Sequence, residues 1–283
     1  MTANRGTRLT RRGRTVVSVV AAVVVVGLAA VLLTRTPLGA LLGLSTGPPC
    51  TLAVGDAELD WSAEEAMTAT TVAGVGTRIG ASVNGVAAAV ARSLEPEPEQ
   101  PLAPAPAREI YRGLPDVATP TEQQVAVAEA LLGHDDGALT CAVPLADAAP
   151  ERQDPNGLGL TPRADRVRAS MREVFGKQIL GGFAPEGVEG GHIDGSAHYE
   201  GRALDIFFRP VTGDNQRLGW QQALWSVAHA DRLDLATVIF DRRIWTAQRS
   251  VQGWRDYAHP SGDTDNPVLM HEDHVHVDVV EGG

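Results

Sequence analysis

Two short stretches of the sequence hold side chains of the kinds that bind metal ions. The first contains His198 and Asp205, and the second, well downstream, contains His271, His274 and His276. Zinc binds imidazole nitrogens and carboxylate oxygens, and a catalytic zinc site uses three protein ligands and leaves one position open for water. Because the stretches are distant in sequence, the chain must fold before their side chains can share one ion. The residue types therefore predict a zinc site built from two separate segments.

The second stretch has the spacing of a strand that presents two ligands on one face. Residues two apart on a strand point to the same side, so the imidazoles of His274 and His276 can reach one small volume. His271 and Asp273 enter from the turn before this strand, where Asp273 is near enough to act as a base on a zinc-bound water. Alone, a His-x-His pair is more often a surface pair than a ligand set, so the prediction depends on both stretches together.

The two stretches together match the motifs of a known family. Ser196-x-His198-x-x-Gly201-x-Ala203-x-Asp205, followed by Asp273-His274-x-His276, resembles the zinc peptidases that include D-Ala-D-Ala carboxypeptidases and dipeptidases, murein endopeptidases and the related Hedgehog signalling domain. The resemblance covers residues 161–283, and the layout is also similar to that of actinobacterial envelope proteins with this C-terminal domain. It implies a peptidase with zinc as its cofactor.

The resemblance also implies a role for each matching residue. The three zinc ligands would be His198, Asp205 and His276. Asp273, three residues before the last ligand, would be the catalytic base, although Glu272 competes for that role. His274 would orient or stabilise the oxyanion, and His271 resembles an additional active-site histidine of some members.

The substrate-binding residues depart from the pattern of the resembled family. Ser196 and Arg202 are the candidate substrate-binding residues. Carboxypeptidases of this family usually place an arginine upstream of the Ser-x-His motif to bind the substrate carboxylate, but residues 181–185 contain none. Arg172 and Arg202 are possible substitutes. The missing arginine shifts the expectation towards an endopeptidase or towards a domain that binds without cutting.

Two functions follow as expectations. The first is a zinc-dependent peptidase, carboxypeptidase or endopeptidase, that acts on the stem peptides of peptidoglycan. The second is a catalytically silent zinc-containing module that binds or regulates in the cell envelope. The intact Asp273-His274-x-His276 motif favours the enzyme, and the missing arginine favours the silent module.

The elements around these motifs predict an α+β domain over residues 161–283. Thr161 and Pro162 open a helix that ends at Gly176, and a second helix is expected at about 215–232. A buried strand over 235–240 is followed by a hairpin partner, and alternating valines predict a last strand at 275–280. Since no regular βαβ repeat is present, the class is α+β, with the small antiparallel sheet of the resembled family.

Residues 50–148 are expected to form a small helical region, followed by a linker at 149–160. A capping box at Ser62 starts one helix, and Thr119 and Pro120 are expected to start another. The Pro-rich, acidic segment 94–107 is expected to be extended and solvated. Cys50 and Cys141 are the only two cysteines, and we expect them to form a disulfide.

The N-terminus predicts a membrane anchor. Residues 16–33 form an uncharged, apolar run that is long enough to span a bilayer as a helix. Arginines on its N-terminal side predict that residues 1–35 comprise a cytoplasmic tail and a single span, with 36–49 as a tether and the C-terminal domain outside the membrane. A cleaved secretory signal is the alternative.

The charge excludes one class of partner. The chain has a net charge of −11, although six arginines and no acidic residue lie in its first 35 residues. The rest of the chain is therefore strongly acidic and repels nucleic acid. The expected partner, as the resemblance implies, is a peptidoglycan peptide.

Overall fold

A computed structural model describes residues 49–95, 98–115, 119–144, 150–183 and 192–283. All of these residues belong to one compact unit. Helices and antiparallel strands are mixed along it, as the α+β class requires.

Six α-helices, nine strands and two short 3₁₀ helices make up the described residues. The α-helices are α1 (Ala63–Ile79), α2 (Val83–Ser93), α3 (Pro104–Arg112), α4 (Glu122–Leu131), α5 (Pro162–Phe175) and α6 (Gly213–Ala228). The strands are β1 (Cys50–Val54), β2 (Ala57–Trp61), β3 (Leu139–Cys141), β4 (Leu180–Gly181), β5 (Ala203–Phe207), β6 (Leu235–Phe240), β7 (Arg243–Thr246), β8 (Arg255–Asp256) and β9 (His274–Val279). The 3₁₀ helices are Ala197–Glu200 and Ala247–Gln252.

The strands form two antiparallel sheets. The smaller sheet has the order β2-β1-β3, and the larger has the order β4-β5-β9-β6-β7-β8. Strand β9 follows all the others in sequence, yet it lies in the interior of the larger sheet between β5 and β6. This position matters for function because β5 and β9 carry candidate metal ligands.

Helix α1 is the centre of the helical layer. Residues 66–76 of α1 are all buried, and the helix contacts each of the other five α-helices described above. Its small side chains allow this close packing. A Cβ atom added to Gly74 would lie 2.5 Å from Val174 of α5, so this position has no room for a larger residue.

The parts of the chain before residue 149 and after residue 160 share one hydrophobic core. Helix α6 packs against both α1 and β3. The indole N–H of Trp254 donates to the carbonyl of Leu139 at 3.0 Å, and the amide N–H of Val143 donates to Ser250 Oγ at 2.9 Å. The segment predicted as a linker therefore joins two parts of one packed body.

The predicted disulfide between Cys50 and Cys141 is confirmed. The two cysteines are direct partners across β1 and β3, and both are buried. The bond therefore ties the two ends of the helical region together through the smaller sheet.

Two of the predicted helix starts are confirmed and one is shifted. The capping box at Ser62 is present, and Thr161 caps α5. Helix α4 is capped by Thr121 and not by Thr119. Thr121 forms a complete capping box with Gln124, which satisfies two backbone donors and so fixes the start of the helix two residues later.

Two expectations for residues 50–148 are wrong. The region is not purely helical, because β1, β2 and β3 form a sheet within it. The Pro-rich segment is not extended throughout, because α3 begins at Pro104. Proline is compatible with the first turn of a helix, where its missing N–H would have no partner.

The predicted membrane anchor is not supported. Residues 16–33, the tail before them and most of the tether lie outside the described part of the chain. Among the described residues, no helix is both long and apolar enough to cross a bilayer. The predicted single-pass topology, with the C-terminal domain outside the membrane, therefore has no support among the described residues, whose fold is α+β.

Candidate metal centre

The two motif stretches meet because β5 and β9 are neighbours in the larger sheet. Asp205 on β5 is the direct partner of His276 on β9 in an antiparallel ladder. The backbone pairing therefore brings a carboxylate and an imidazole from distant parts of the sequence to the same point.

His198 reaches the same point from the 3₁₀ helix Ala197–Glu200. Ser196 caps this helix and accepts a hydrogen bond from the amide of His198. The helix ends at Gly201, which has a φ of 66°. A Cβ atom on Gly201 would lie 2.3 Å from the carbonyl oxygen of Gly159, so only glycine fits where the chain turns into β5.

His198, Asp205 and His276 form a buried group that can hold a metal ion. His198 Nε2 lies 3.0 Å from His276 Nδ1 and 3.3 Å from Asp205 Oδ1, and His276 Nδ1 lies 3.1 Å from Asp205 Oδ1. Ligands at tetrahedral positions around zinc, with bonds of about 2.1 Å, are about 3.4 Å apart. The three atoms therefore form a triangle of nearly the size that one face of a zinc site requires.

The other nitrogen of each imidazole is held by a hydrogen-bond acceptor. His198 Nδ1 donates to the carbonyl of Gly182 at 2.7 Å, and His276 Nε2 donates to Asp278 Oδ2 at 3.4 Å. In the neutral rings, His198 Nε2 and His276 Nδ1 then carry lone pairs that face each other and the Asp205 carboxylate. Three electron-rich atoms this close together repel one another unless a proton or a metal ion lies between them, so the donor set can hold a metal ion.

The acid–base properties of the group point the same way. Burial acts to lower the pKa of His276, but hydrogen bonds and charges from Asp205 and Asp278 outweigh it and raise the pKa to about 9. Burial acts to raise the pKa of Asp205, but hydrogen bonds from the two histidines hold it well below its usual value. The site thus favours a positive charge, which a proton or a metal ion can supply.

Both carboxylate oxygens of Asp273, the predicted base, contact neighbouring side chains. Its Oδ1 accepts a hydrogen bond from His274 Nδ1 at 2.7 Å, and its Oδ2 pairs with Arg209. Burial acts to raise the pKa of Asp273, but these two partners lower it overall. His274 Nε2 lies 3.8 Å from Asp205 Oδ1. His274 is therefore the member of this pair that reaches the metal group, with Asp273 behind it.

His271 lies beside the cluster as a neutral ring. Its Nδ1 donates to the carbonyl of Leu269 at 3.1 Å, and its ring centroid is 4.7 Å from that of His274. Burial, with help from the charges of His274 and His276, lowers the pKa of His271 to about 2. Its φ of 56° marks the sharp turn into β9.

The candidate substrate-binding residues differ in their surroundings. Ser196 lines the cleft above the cluster while capping its short helix. Arg202 also lines the cleft, but its guanidinium pairs with Glu200 and donates to the carbonyl of Val279. Arg172, the other substitute for the missing arginine, lines a different cleft.

The cleft over the metal group has a volume of about 720 Å³, within the usual range of ligand sites. Besides the group itself, it is lined by β6 residues Ala236, Thr237 and Ile239, by Tyr257, Ala258, His259 and Pro260, and by Val268 and Leu269. Glu272, the rival base, is not among the lining residues and pairs with Arg242 instead. The cleft thus exposes the metal group to a ligand of peptide size.

Three residues of the site were missed by sequence reasoning. Arg209 follows β5 closely, lines the cleft and lies over the ring of Phe207 at 4.1 Å. An arginine just after the strand that holds Asp205 was a usable signal. Gly182 and Asp278 act through one backbone carbonyl and one outer carboxylate, and no motif marks them.

One family model matches part of the chain. It is described as "VldE, C-terminal domain" and matches residues 156–268. The matched part includes His198 and Asp205, ends before His276, and is less than half of the chain. Comparisons with curated proteins and with solved structures gave no match.

Proposed function

We propose that this protein is a zinc-dependent peptidase that acts on the stem peptides of peptidoglycan. The observation that carries the proposal is the triangle of His198 Nε2, Asp205 Oδ1 and His276 Nδ1, whose three lone pairs converge. The choice of zinc follows from two imidazoles and one carboxylate in a triangle of tetrahedral size. The choice of substrate rests on the motif resemblance to D-Ala-D-Ala metallopeptidases.

A bound zinc ion would supply Lewis acidity for the scissile carbonyl and for the attacking water. The chain's own residues handle the proton. His274 has its Nδ1–H held by Asp273, so its Nε2 is free to accept a proton from water at the cluster and to pass it to the leaving amine. Asp273 orients the ring and stabilises the imidazolium, because its own lowered pKa makes it a weak base.

Arg209 is the cation best placed to contact a substrate in the cleft. Its side chain is about half exposed, in contrast to the mostly buried Arg202. Because its Asp273 partner already binds His274, a substrate carboxylate could recruit the guanidinium without leaving Asp273 alone. A substrate with a free carboxylate and an internal peptide segment are both compatible with this arrangement.

The Arg209–Asp273 ion pair also supports a second candidate function. A zinc-containing module without turnover needs no free base, and both oxygens of Asp273 are engaged. In that case the cleft would bind a peptide without cutting it.

The first experiment measures metal content. The purified full chain should hold about one zinc ion. His276→Ala should lose this ion, because two protein ligands and a water molecule bind zinc more weakly than three protein ligands do. His259→Ala is the matched control, since His259 lines the same cleft but is outside the ligand triangle. A metal-free wild-type protein at neutral pH, after zinc has been offered and the excess removed, would exclude both candidate functions.

The second experiment separates the two functions. Zinc-loaded wild-type protein is incubated with peptidoglycan fragments, and the products are identified by mass. Loss of a terminal residue indicates a carboxypeptidase, and internal cleavage indicates an endopeptidase. Saturable binding of the fragments without any product would support the silent module.

A further inference from the structure

A second cleft, separate from the metal centre, is lined by arginines. It has a volume of about 670 Å³ and lies where the end of α1 meets α3 and α5. Its basic residues are Arg78, Arg108, Arg168 and Arg172, and Glu173 is the one acidic residue in its lining. None of its lining residues belongs to the cleft above the metal group.

Such a concentration of positive charge is unexpected in this chain. From residue 36 onwards, acidic residues outnumber basic ones by 35 to 18. Arg168 and Arg172 are four residues apart on α5, a spacing at which like charges on a helix destabilise it. The arrangement costs stability in the free protein, and a bound anion would offset that cost.

The four arginines are only partly neutralised by the described residues. Arg168 pairs with Asp165 at 2.6 Å. Arg78 donates to the backbone carbonyl of Glu173 at 2.7 Å, which leaves its charge uncompensated. Arg108 and Arg172 have no ion-pair partner in the described part of the chain. At least two full positive charges therefore face the cleft.

Arg108 carries the most specific sign of a missing ligand. Its Nε is buried and has no hydrogen-bond partner among the described residues. A buried donor of a charged group that lacks a hydrogen-bond partner destabilises the folded protein. A shift of the Arg108 side chain towards an anion oxygen in the cleft would give this donor a partner.

The start of α3 adds a backbone contribution. Its N-cap, Ala103, has no side chain that could accept a hydrogen bond, and Ala103, Pro104 and Ala105 all line the cleft. The amide of Ala105 thus has no capping partner, and the helix dipole places partial positive charge at this end.

We propose that this cleft binds an anion that bears a phosphate group and carries at least two negative charges. Guanidinium groups bind phosphate oxygens in pairs of parallel hydrogen bonds, and two unpaired arginines match a doubly charged group. The cleft is larger than a phosphate, so it has room for the organic part of a phosphate ester. This site goes beyond the proposed peptidase function and does not depend on it.

The test uses the full chain and inorganic pyrophosphate as the probe, with binding measured by calorimetry. We expect saturable binding to the wild type and at least a tenfold loss of affinity in the double variant Arg108→Gln/Arg172→Gln. Arg172→Lys should give a smaller loss, because it keeps the charge but not the paired hydrogen bonds. His276→Ala should bind pyrophosphate as the wild type does, which separates this site from the metal centre.

The matched control is Arg112→Gln/Arg166→Gln. It removes one arginine from each of the same two helices, and neither residue lines the cleft. The control should bind pyrophosphate within twofold of the wild type once its native circular dichroism is verified. Absence of saturable binding to the wild type, or equal affinities for the wild type and the cleft variant, would overturn the proposal. An equal loss in the cleft variant and the control would also overturn it, because the effect would then be one of net charge.

Discussion

Asp278 and the carbonyl of Gly182 hold the ring protons of the two histidine ligands away from the metal group. These contacts set the tautomers, and the tautomers decide whether the facing nitrogens can bind a cation. A change in either partner should therefore alter metal binding although neither partner is itself a ligand.

Gly182→Ala tests this idea at its tightest point. Gly182 has a φ of 77°, and a Cβ atom there would lie 2.5 Å from His198 Nδ1 and 3.0 Å from Asp205 Oδ2. We expect the variant to lose about 10- to 100-fold in zinc affinity, as measured by competition with a chelator. Gly195→Ala, whose Cβ would meet nothing within 4 Å, is the control for the strain of a positive φ. Unchanged zinc affinity in Gly182→Ala would show that metal binding does not depend on the close packing of residue 182 against His198.

The pairing of His274 with Asp273 predicts how their mutations combine. If His274 moves the proton and Asp273 only orients it, His274→Ala should lower kcat at least about a hundredfold with zinc retained. The double variant Asp273→Ala/His274→Ala should then be no slower than His274→Ala alone, because the two residues act as one unit. Multiplying effects in this cycle, measured on peptidoglycan fragments, would instead indicate that Asp273 is an independent base.

Residue types, together with the motif resemblance, predicted the ligand triangle but not its supports. Histidine and aspartate at these spacings carry a recognisable chemistry, so His198, Asp205 and His276 could be proposed before any fold was known. Gly182 contributes a carbonyl, which every residue possesses, so only its position gives it a role. The role of Asp273 was inferred from spacing, and spacing does not reveal that Arg209 and His274 occupy its two oxygens.

At the scale of elements, a buried histidine at the end of α6 contacts helix α1. His229, at the end of α6, stacks on Trp225 and donates from Nδ1 to the carbonyl of that residue. Its Nε2 lies 3.4 Å from Thr71 Oγ1 on α1. The ring thus joins two buried helices through a neutral imidazole, and a charged imidazole would have no counter-ion there.

This contact predicts a pH-dependent stability. Burial lowers the pKa of His229 from 6.5 to about 3. Between these values the unfolded chain binds a proton that the folded chain does not, so the folded state loses stability as the pH falls from about 6.5 to 3. By pH 4 the loss should be on the order of 3 kcal/mol. Urea unfolding at pH 7 and pH 4 should show this loss in the wild type and a smaller one in His229→Gln. Identical losses in the two proteins would assign the pH dependence to other groups.

Element starts were predictable where one residue had no rival. Ser62 and Thr161 stand alone before their helices, and both are caps. Thr119 and Thr121 compete for the same helix, and the side chain of Gln124 decided in favour of the second. The hairpin of β1 and β2 was missed although Gly55, at a φ of 57°, lies at its turn, because the surrounding helical signals were stronger.

At the scale of the whole molecule, the helical region and the C-terminal domain, which the sequence analysis separated by a linker, share one hydrophobic core. Composition marked a polar segment at 149–160, but composition does not reveal that α6 packs on both α1 and β3 across it. The metal centre and the helical layer should therefore unfold together, in one transition.

The disulfide offers a test of this unity. It joins residues that are 91 positions apart, so its loop-closure contribution is about 4–5 kcal/mol. Cys50→Ser/Cys141→Ser should lower the free energy of unfolding by roughly this amount, and zinc release should follow the same denaturation curve as the loss of helical signal. Two separate curves would show that the helical layer melts independently of the metal centre.

The interior position of β9 determines when a cation can be captured during folding. Asp205 and Ile239, the residues beside His276 on either side, both precede it in the chain. Until β9 emerges from the ribosome, one edge of β5 and one edge of β6 have unpaired backbone groups, and these can pair with strands of other chains. The ligand set is completed by that last insertion, so the ion would be captured by a nearly finished sheet. The ion would then stabilise a sheet that has already formed and would not direct its formation.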